Sequence, residues 1–169
     1  MIDIDRELVA FVVEAKKYTY AAAESKEEVL PDGGRKLVFE ADGYIYEDIY
    51  CGLCEFYGRE VAYKKDIVNP RKWVMQYSGL IPADLKQLAD PREIYADLKA
   101  ALREVYFGLP FRGPRLFTGK KFGYFMDAHG DPNFFWGHES LRGPVYDFRQ
   151  SFREELVYFG AFHGMIQQE

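Results

Sequence analysis

Tyr44, Tyr46, Asp48 and Tyr50 fall at alternate positions in Tyr44-Ile45-Tyr46-Glu47-Asp48-Ile49-Tyr50. In an extended chain this spacing gathers three phenols and one carboxylate on one face. An acid on such a face has to be hydrogen-bonded, ion-paired or protonated. Ion-paired to an arginine such as Arg112 or Arg115, or accepting tyrosine and backbone hydrogen bonds, it is structural. A second acid, Glu139, stands in Phe134-Phe135-Trp136-Gly137-His138-Glu139. Alternation there groups Phe135, Gly137 and Glu139 against Phe134, Trp136 and His138. An acid beyond a glycine, beside large rings, suits a pocket rim; it equally suits a core strand whose glycine makes room for a neighbouring ring. If Asp48 and Glu139 faced one aromatic cavity, the pair would suit general acid–base chemistry or sugar hydrolysis.

Arg112-Gly113-Pro114-Arg115 offers two guanidinium forks on an irregular path. They fit a carboxylate or phosphate clamp, or a turn whose arginines pair with surplus acids. Cys51-Gly52-Leu53-Cys54 has the spacing of a redox motif. Its flanks are strand-like on both sides, however, and no second cysteine pair or histidine pair completes a zinc site. His129, His138 and His163 lack the i, i+4 spacing of helical metal ligands. Small, partly buried cysteines, structural or surface histidines, no metal and no cofactor are the expectation.

These side chains must be carried by the surrounding elements. Leu8, Phe11, Val12 and Ala15 make a helical stripe over about residues 4–20, with Asp3 as the expected N-cap and Glu7, Glu14, Lys16 and Lys17 mainly off the stripe. Lys36-Leu37-Val38-Phe39-Glu40-Ala41 leads through Asp42-Gly43 into the tyrosine segment, a two-residue hairpin signal that pairs Leu37 with Asp48. Leu53–Tyr57 and Glu60–Lys64 are expected to pair through a turn at Gly58-Arg59. Trp73, Met75 and Tyr77 share a face of the next strand. Asp90-Pro91-Arg92-Glu93 opens a second helix with a cap, a proline at the first helical position and a capping-box pattern. A short helix over Ala83–Ala89 precedes it. Strand-like aromatic segments follow at Lys121–Met126, Phe134–Ser140, Val145–Gln150 and Leu156–Phe162. Turns are expected at His129-Gly130-Asp131-Pro132 and Arg142-Gly143-Pro144. Strands joined without intervening helices predict a single α+β domain over residues 1–169. Its curved antiparallel sheet would have about seven or eight strands, with an N-terminal and a central helix packed on it.

The 169 residues suffice for one domain with a real core. With 17% aromatic residues the composition favours strands, and a net charge of -5 argues against nucleic-acid binding. No leader pattern or membrane span is visible, so a cytoplasmic, reduced setting is expected.

Four sequence words occur in order: Ala15-Lys16-Lys17-Tyr18-Thr19-Tyr20-Ala21, Tyr46-Glu47-Asp48-Ile49-Tyr50-Cys51-Gly52, Arg112-Gly113-Pro114-Arg115 and Phe135-Trp136-Gly137-His138-Glu139. Together they resemble an uncharacterised bacterial domain family that occurs alone or downstream of a Cro/C1-type helix-turn-helix. The resemblance spans about residues 8–160 and transfers no catalytic assignment. It implies the stand-alone form here, because the first helix begins within a few residues of Met1, and its fused versions imply a sensor role. The residues themselves point to an aromatic-lined pocket for a small organic ligand, with Tyr44, Tyr46, Asp48, Tyr50, Trp73, Tyr77, Arg112, Arg115, Trp136 and Glu139 as its candidates. The alternatives are an acid–base enzyme, a hydrolase or isomerase using Asp48 and Glu139 with Arg112, and a homodimeric interaction module.

Overall fold

The computed structural model describes residues 4–19, 27–83, 89–146 and 152–167. Among the described residues two helices, α1 (Arg6–Tyr18) and α2 (Pro91–Leu102), accompany nine strands. These are β1 (Glu28–Val29), β2 (Arg35–Ala41), β3 (Tyr44–Cys51), β4 (Glu55–Lys64), β5 (Lys72–Leu80), β6 (Leu116–Thr118), β7 (Gly123–Asp131), β8 (Phe134–Tyr146) and β9 (Phe152–Gln167). They form one open antiparallel sheet in the order β1-β2-β3-β4-β5-β9-β8-β7-β6. The α+β class stands, with nine strands rather than seven or eight; β1 and β6 are too short to show an alternating pattern.

The Asp42-Gly43 hairpin forms as its sequence requires. Both residues have positive φ, 49° and 79°, the backbone of a type I′ turn. The register pairs Leu37 with Asp48, Phe39 with Tyr46 and Ala41 with Tyr44. The expected turn at Gly58-Arg59 does not form. β4 runs unbroken, and the reversal falls earlier, at Gly52 with φ 94°. Gly58 lies within the strand because a Cβ there would sit 2.4 Å from the Tyr77 ring and 2.9 Å from Tyr50 Cβ. Arg142-Gly143-Pro144 is likewise inside β8, opposite Leu156, Glu155 and Glu154, just after a bulge at Leu141/Arg142. β8 thus absorbs the start of the strand expected over Val145–Gln150, whose residues 147–150 lie outside the described residues. β7 continues through Asp131, so the chain reverses at Pro132-Asn133.

α1 is capped by Asp5, whose side chain accepts the Leu8 N–H at 3.0 Å; Asp3 lies outside the described residues. At α2 the Asp90 carboxylate accepts the Arg92 N–H at 2.9 Å and Pro91 occupies the first turn. Glu93 pairs with Lys121 at 2.7 Å rather than closing a box. Residues 84–88, most of the expected short helix, and 20–26 lie outside the described residues.

Both helices cover the same sheet face. α1 packs Leu8, Phe11, Val12 and Ala15 against β2–β5, and α2 turns Ile94, Leu98 and Ala101 toward β7. Asp97 fixes α2 to the β6–β7 turn by accepting the N–H groups of Lys120, Lys121 and Phe122 at 2.8, 2.8 and 2.9 Å. Trp73 and Phe111 stack on Phe135, with centroids 4.7 and 4.3 Å from it. Such pairs contribute about 0.5–1.5 kcal/mol each beyond burial.

Candidate binding site

Five charged side chains converge on the covered face: Lys16 from α1, Asp48 from β3, Glu60 from β4, Arg112 from the α2–β6 segment and Glu139 from β8. None is more than 7% exposed. Burial of ions is unfavourable unless they are paired and hydrogen-bonded, so the partners decide what each can do.

Glu139 is fully satisfied. Arg112 Nε and Nη2 donate to its Oε1 at 3.1 and 2.8 Å, and the Tyr158 hydroxyl donates to the same oxygen at 2.8 Å. The Tyr124 hydroxyl donates to Oε2 at 2.7 Å and itself accepts the Gly113 N–H at 3.2 Å. Burial alone would raise the Glu139 pKa. The Arg112 charge and these hydrogen bonds outweigh it and hold the carboxyl below its usual range.

Asp48 is held differently. Its one hydrogen bond among the described residues comes from the Tyr77 hydroxyl, at 2.7 Å. Glu60 is its cross-strand partner, so two acids face each other on one sheet face. Burial first and Glu60 second push the Asp48 pKa up to about 7, against the opposing pull of Tyr77, Arg112 and Lys16. Burial and Asp48 also push the Tyr77 phenol well above its ordinary value, so Tyr77 remains a donor.

Lys16 joins the network through Glu60. Its Nζ lies 2.5 Å from Glu60 Oε2 and donates to the Phe111 carbonyl at 2.6 Å. The Glu60 contact is a close charge pair without hydrogen-bond angles, which leaves Oε2 with a counter-ion but no directional bond. Burial lowers the Lys16 pKa, with Glu60 opposing that shift. Two cations and three acids leave one surplus negative charge, which disappears when Asp48 keeps its proton.

Beside this network a cleft of about 790 Å³ opens between β3–β5 and α2. Its aromatic wall is Tyr50, Phe56, Tyr77 and Tyr95. Phe56 is the hub, with its centroid 6.3 Å from Tyr77, 6.4 Å from Tyr95 and 5.8 Å from Tyr158, which it stacks on. The Tyr95 hydroxyl bonds the Leu53 carbonyl, tying α2 to the β3–β4 turn. The polar lining is mainly cationic: Arg112, Arg35, Arg92 and Lys99, with Glu27 as the acid. Glu27 accepts from Tyr50 at 2.5 Å and from Arg35 at 2.8 Å. A second hollow, about 480 Å³, shares Tyr50 and Tyr77 but is otherwise lined mostly from the uncovered face, by Arg59, Gln76, Ser78 and His163 among others. The first cleft is the stronger candidate because the buried charges reach it through Arg112 and Tyr77.

Of the candidates named from sequence, Tyr50, Tyr77 and Arg112 line the cleft. Asp48 stands behind Tyr77 and Glu139 behind Arg112. The two acids share a face and are linked indirectly, because the Arg112 guanidinium lies 4.9 Å from the Tyr77 ring centre. Tyr44 stacks on Phe11, Tyr46 is buried, and Trp73 stacks on Phe135; all three belong to the core. Trp136 is half exposed on the opposite face, stacked on His129 at 4.4 Å. Arg115 is exposed, 3.5 Å from Asp127. Gly137 makes room for the Phe162 ring, which a Cβ would meet at 2.7 Å. Cys51 and Cys54 are free and partly buried. No group of three ligand-type side chains among the described residues could hold a metal.

Contributors that went unread in the sequence include Lys16, Glu60, Phe56 and Tyr95. Lys16 follows Val9 and Val12 at i, i+3 and i+7, so it lies on the buried stripe rather than off it. Glu60 alternates with Gly58 and Ala62 once β4 is continuous. The placed turn at Gly58-Arg59 hid it.

An open antiparallel sheet with one face covered by two helices, and a cationic aromatic cleft beside buried charges, describes the class of domain. Residues 48–166 match a family described as a domain of unknown function (DUF5680); they are more than half the chain, and the protein belongs to that family. The matched span holds Asp48, Glu60, Tyr77, Tyr95, Arg112 and Glu139, while Lys16 and Arg35 precede it. No match was found among curated proteins or among solved structures. No helix among the described residues is long and apolar enough to cross a membrane.

Proposed function

We propose that the domain binds a small organic ligand with an aromatic or amphipathic body in the cleft between β3–β5 and α2. The observation that carries this reading is the cleft itself. It is about 790 Å³ in volume and walled by four aromatic rings beside a mainly cationic polar lining, within the usual size of small-molecule sites and with the aromatic body such sites present. In the fused versions of the resembled family, where the domain follows a helix-turn-helix, such binding would serve a sensor role. A ligand-observed NMR screen of small aromatic compounds tests it. Saturable binding that Tyr95→Ala abolishes, with the melting transition retained, is expected. A screen with no saturable binder overturns it.

A second reading is an acid–base enzyme. It is favoured by Asp48, a carboxyl held near neutrality behind a phenol that faces the cleft. Glu139, tied by four hydrogen bonds, supplies position to Arg112 rather than a mobile proton. Turnover of a bound compound that survives Asp48→Asn undamaged would remove this reading. The uncovered face, with Phe134, Trp136 and Phe159 partly exposed, supports a homodimer, which sedimentation at two protein concentrations tests.

A further inference from the structure

Arg112 occupies an unusual position among the charged groups of the cleft. It is almost wholly buried yet lines the cavity. Its Nε and Nη2 are engaged by Glu139. Its Nη1 has Glu60 3.9 Å away, beyond hydrogen-bond reach. The guanidinium is therefore fixed in orientation by one partner and retains N–H donors without an acceptor among the described residues. Arg35, Arg92 and Lys99 line the same cavity; Glu27 pairs with Arg35, and Asp90, outside the lining, pairs with Arg92. A carboxylate fits the donors that a fixed guanidinium offers. A dianion fits poorly, because Glu139 already balances Arg112 and Glu60 stands close behind it.

The second observation is what faces Asp48. Tyr77 from β5 donates to it, Glu60 from β4 opposes it across the sheet, and Arg112 and Lys16, from the α2–β6 segment and α1, stabilise its charge. On its own strand Tyr46 and Tyr50 flank it, and Leu37 of β2 is its apolar partner. Tyr77 is at once a wall of the cleft and the donor to Asp48, and Arg112 lies over its ring. An anion seated on Arg112 would weaken the pull of that cation on the Asp48 carboxylate.

We infer that the ligand is an aryl monocarboxylate whose head group sits on Arg112, and that its binding is accompanied by uptake of a proton at Asp48. This rests on the proposed binding function and names its ligand class and its linkage to pH. The proton comes from solvent, no covalent bond changes, and Asp48 passes from carboxylate to carboxylic acid. Binding of the anion and protonation of Asp48 then favour one another, as linkage requires.

The test uses phenylacetate, 3-phenylpropionate and 4-phenylbutyrate, with their primary amides as neutral controls. The amides replace an Arg112 variant, whose loss of stability would be mixed with its effect on binding. Titration calorimetry is run from pH 6 to pH 8, at pH 7 in phosphate and in Tris, whose ionisation heats differ. At least one acid is expected to bind about tenfold or more tightly than its amide, the worth of a charge-assisted pair. Its affinity should fall about three- to tenfold between pH 6 and pH 8, with uptake of up to about half a proton at pH 7. Asp48→Asn should still bind the acid, with a flat pH profile and no proton uptake. Equal binding of acid and amide, or acid selectivity with a flat profile in the native protein, overturns the inference. Binding of neutral aromatics alone overturns it and leaves the cleft reading standing. Failure of every aromatic compound overturns both.

Discussion

Glu139 and Asp48 are carboxylates of equal burial on one sheet face, 2% and 1% exposed, yet the molecule treats them in opposite ways. Around Glu139, strands β7–β9 and the Arg112 segment supply four hydrogen bonds and a full counter-charge. Around Asp48, strands β3–β5 supply one phenol and a second acid. The first carboxyl is pulled below its ordinary pKa and the second is raised to about 7. Burial alone does not set the ionisation of an acid; the donors and charges within reach do. One end of the network is a rigid mount, and the other holds a carboxyl whose pKa is raised to about 7.

The largest effect should come from the shared member. Arg112→Met leaves Glu139 buried without its cation, while Glu60 keeps Lys16. Breaking a buried pair in this way costs about 3–5 kcal/mol, read by urea denaturation at pH 7. A loss under 1 kcal/mol would show that Glu139 is not held through Arg112, and the contrast with Asp48 would collapse.

The next pair sharpens the comparison, because the same chemical swap should act with opposite sign. Glu139→Gln weakens charge-assisted hydrogen bonds and strands Arg112, lowering stability by about 2–3 kcal/mol at pH 7. Asp48→Asn removes a charge that the fold resists. The folded Asp48 binds its proton more tightly than the unfolded chain, with a pKa of about 7 against 3.8. Its stabilising contribution is therefore complete below the unfolded value and is lost as pH rises through about 7. The window corresponds to up to about 4 kcal/mol. Asp48→Asn should flatten this slope and leave the protein about 1–3 kcal/mol more stable than native at pH 8, with little change at pH 4. Denaturation midpoints across pH 4–8 measure both, and a steep fall that persists in Asp48→Asn assigns the slope elsewhere.

Much of the Asp48 side was legible in the sequence. Asp-Gly demands positive φ at two adjacent residues, which fixed the β2–β3 register, and the period of a strand then placed the acid among phenols. The partners of Asp48 were not legible, for two physical reasons. Gly58 reads as a turn residue, but its lack of a Cβ admits the Tyr77 ring within a strand, and misplacing that turn hid Glu60. Lys16 reads as a solvent-facing charge, because nothing local announces that Glu60 and the Phe111 carbonyl await it. Arg112 and Glu139 were each visible as candidates, but their pairing bridges segments 27 residues apart, a separation that no local pattern encodes. The nine-strand order carries the same lesson. The junction of β5 with β9 has no local signal, whereas every other neighbour follows from a consecutive connection.

A smaller effect isolates the Asp48 end. Tyr77→Phe removes the single hydrogen bond to Asp48, which favours the charged form. The Asp48 pKa should rise above about 7, and stability at pH 8 should fall by about 1–2 kcal/mol, with less change at pH 5, where the acid is neutral in both proteins. Carboxyl-carbon NMR chemical shifts follow the titration directly. An unmoved Asp48 titration would mean that the phenol does not govern it, and the path from cleft to carboxyl would be broken.

The smallest expected effect sits on the other side of the sheet. Trp136 is large and aromatic, and it belongs to a strand that carries Glu139, which is why the sequence offers it as a site residue. Alternation sends it the other way. It is half exposed, stacked on His129, with His163 as its partner across β9. A surface substitution away from a cap, charge pair or core cavity changes stability by less than about 0.5 kcal/mol. Trp136→Ala should therefore leave the melting transition, the Asp48 titration and aryl carboxylate binding where they are. The strand between the two faces is not inert, however: Gly137 presses against the Phe162 ring, and Phe162 is buried against the same core as Phe111 and Phe135. If Trp136→Ala shifts the Asp48 titration measurably, that contact transmits strain through the sheet, and the division into a rigid Glu139 end and a responsive Asp48 end would have to give way to one coupled unit.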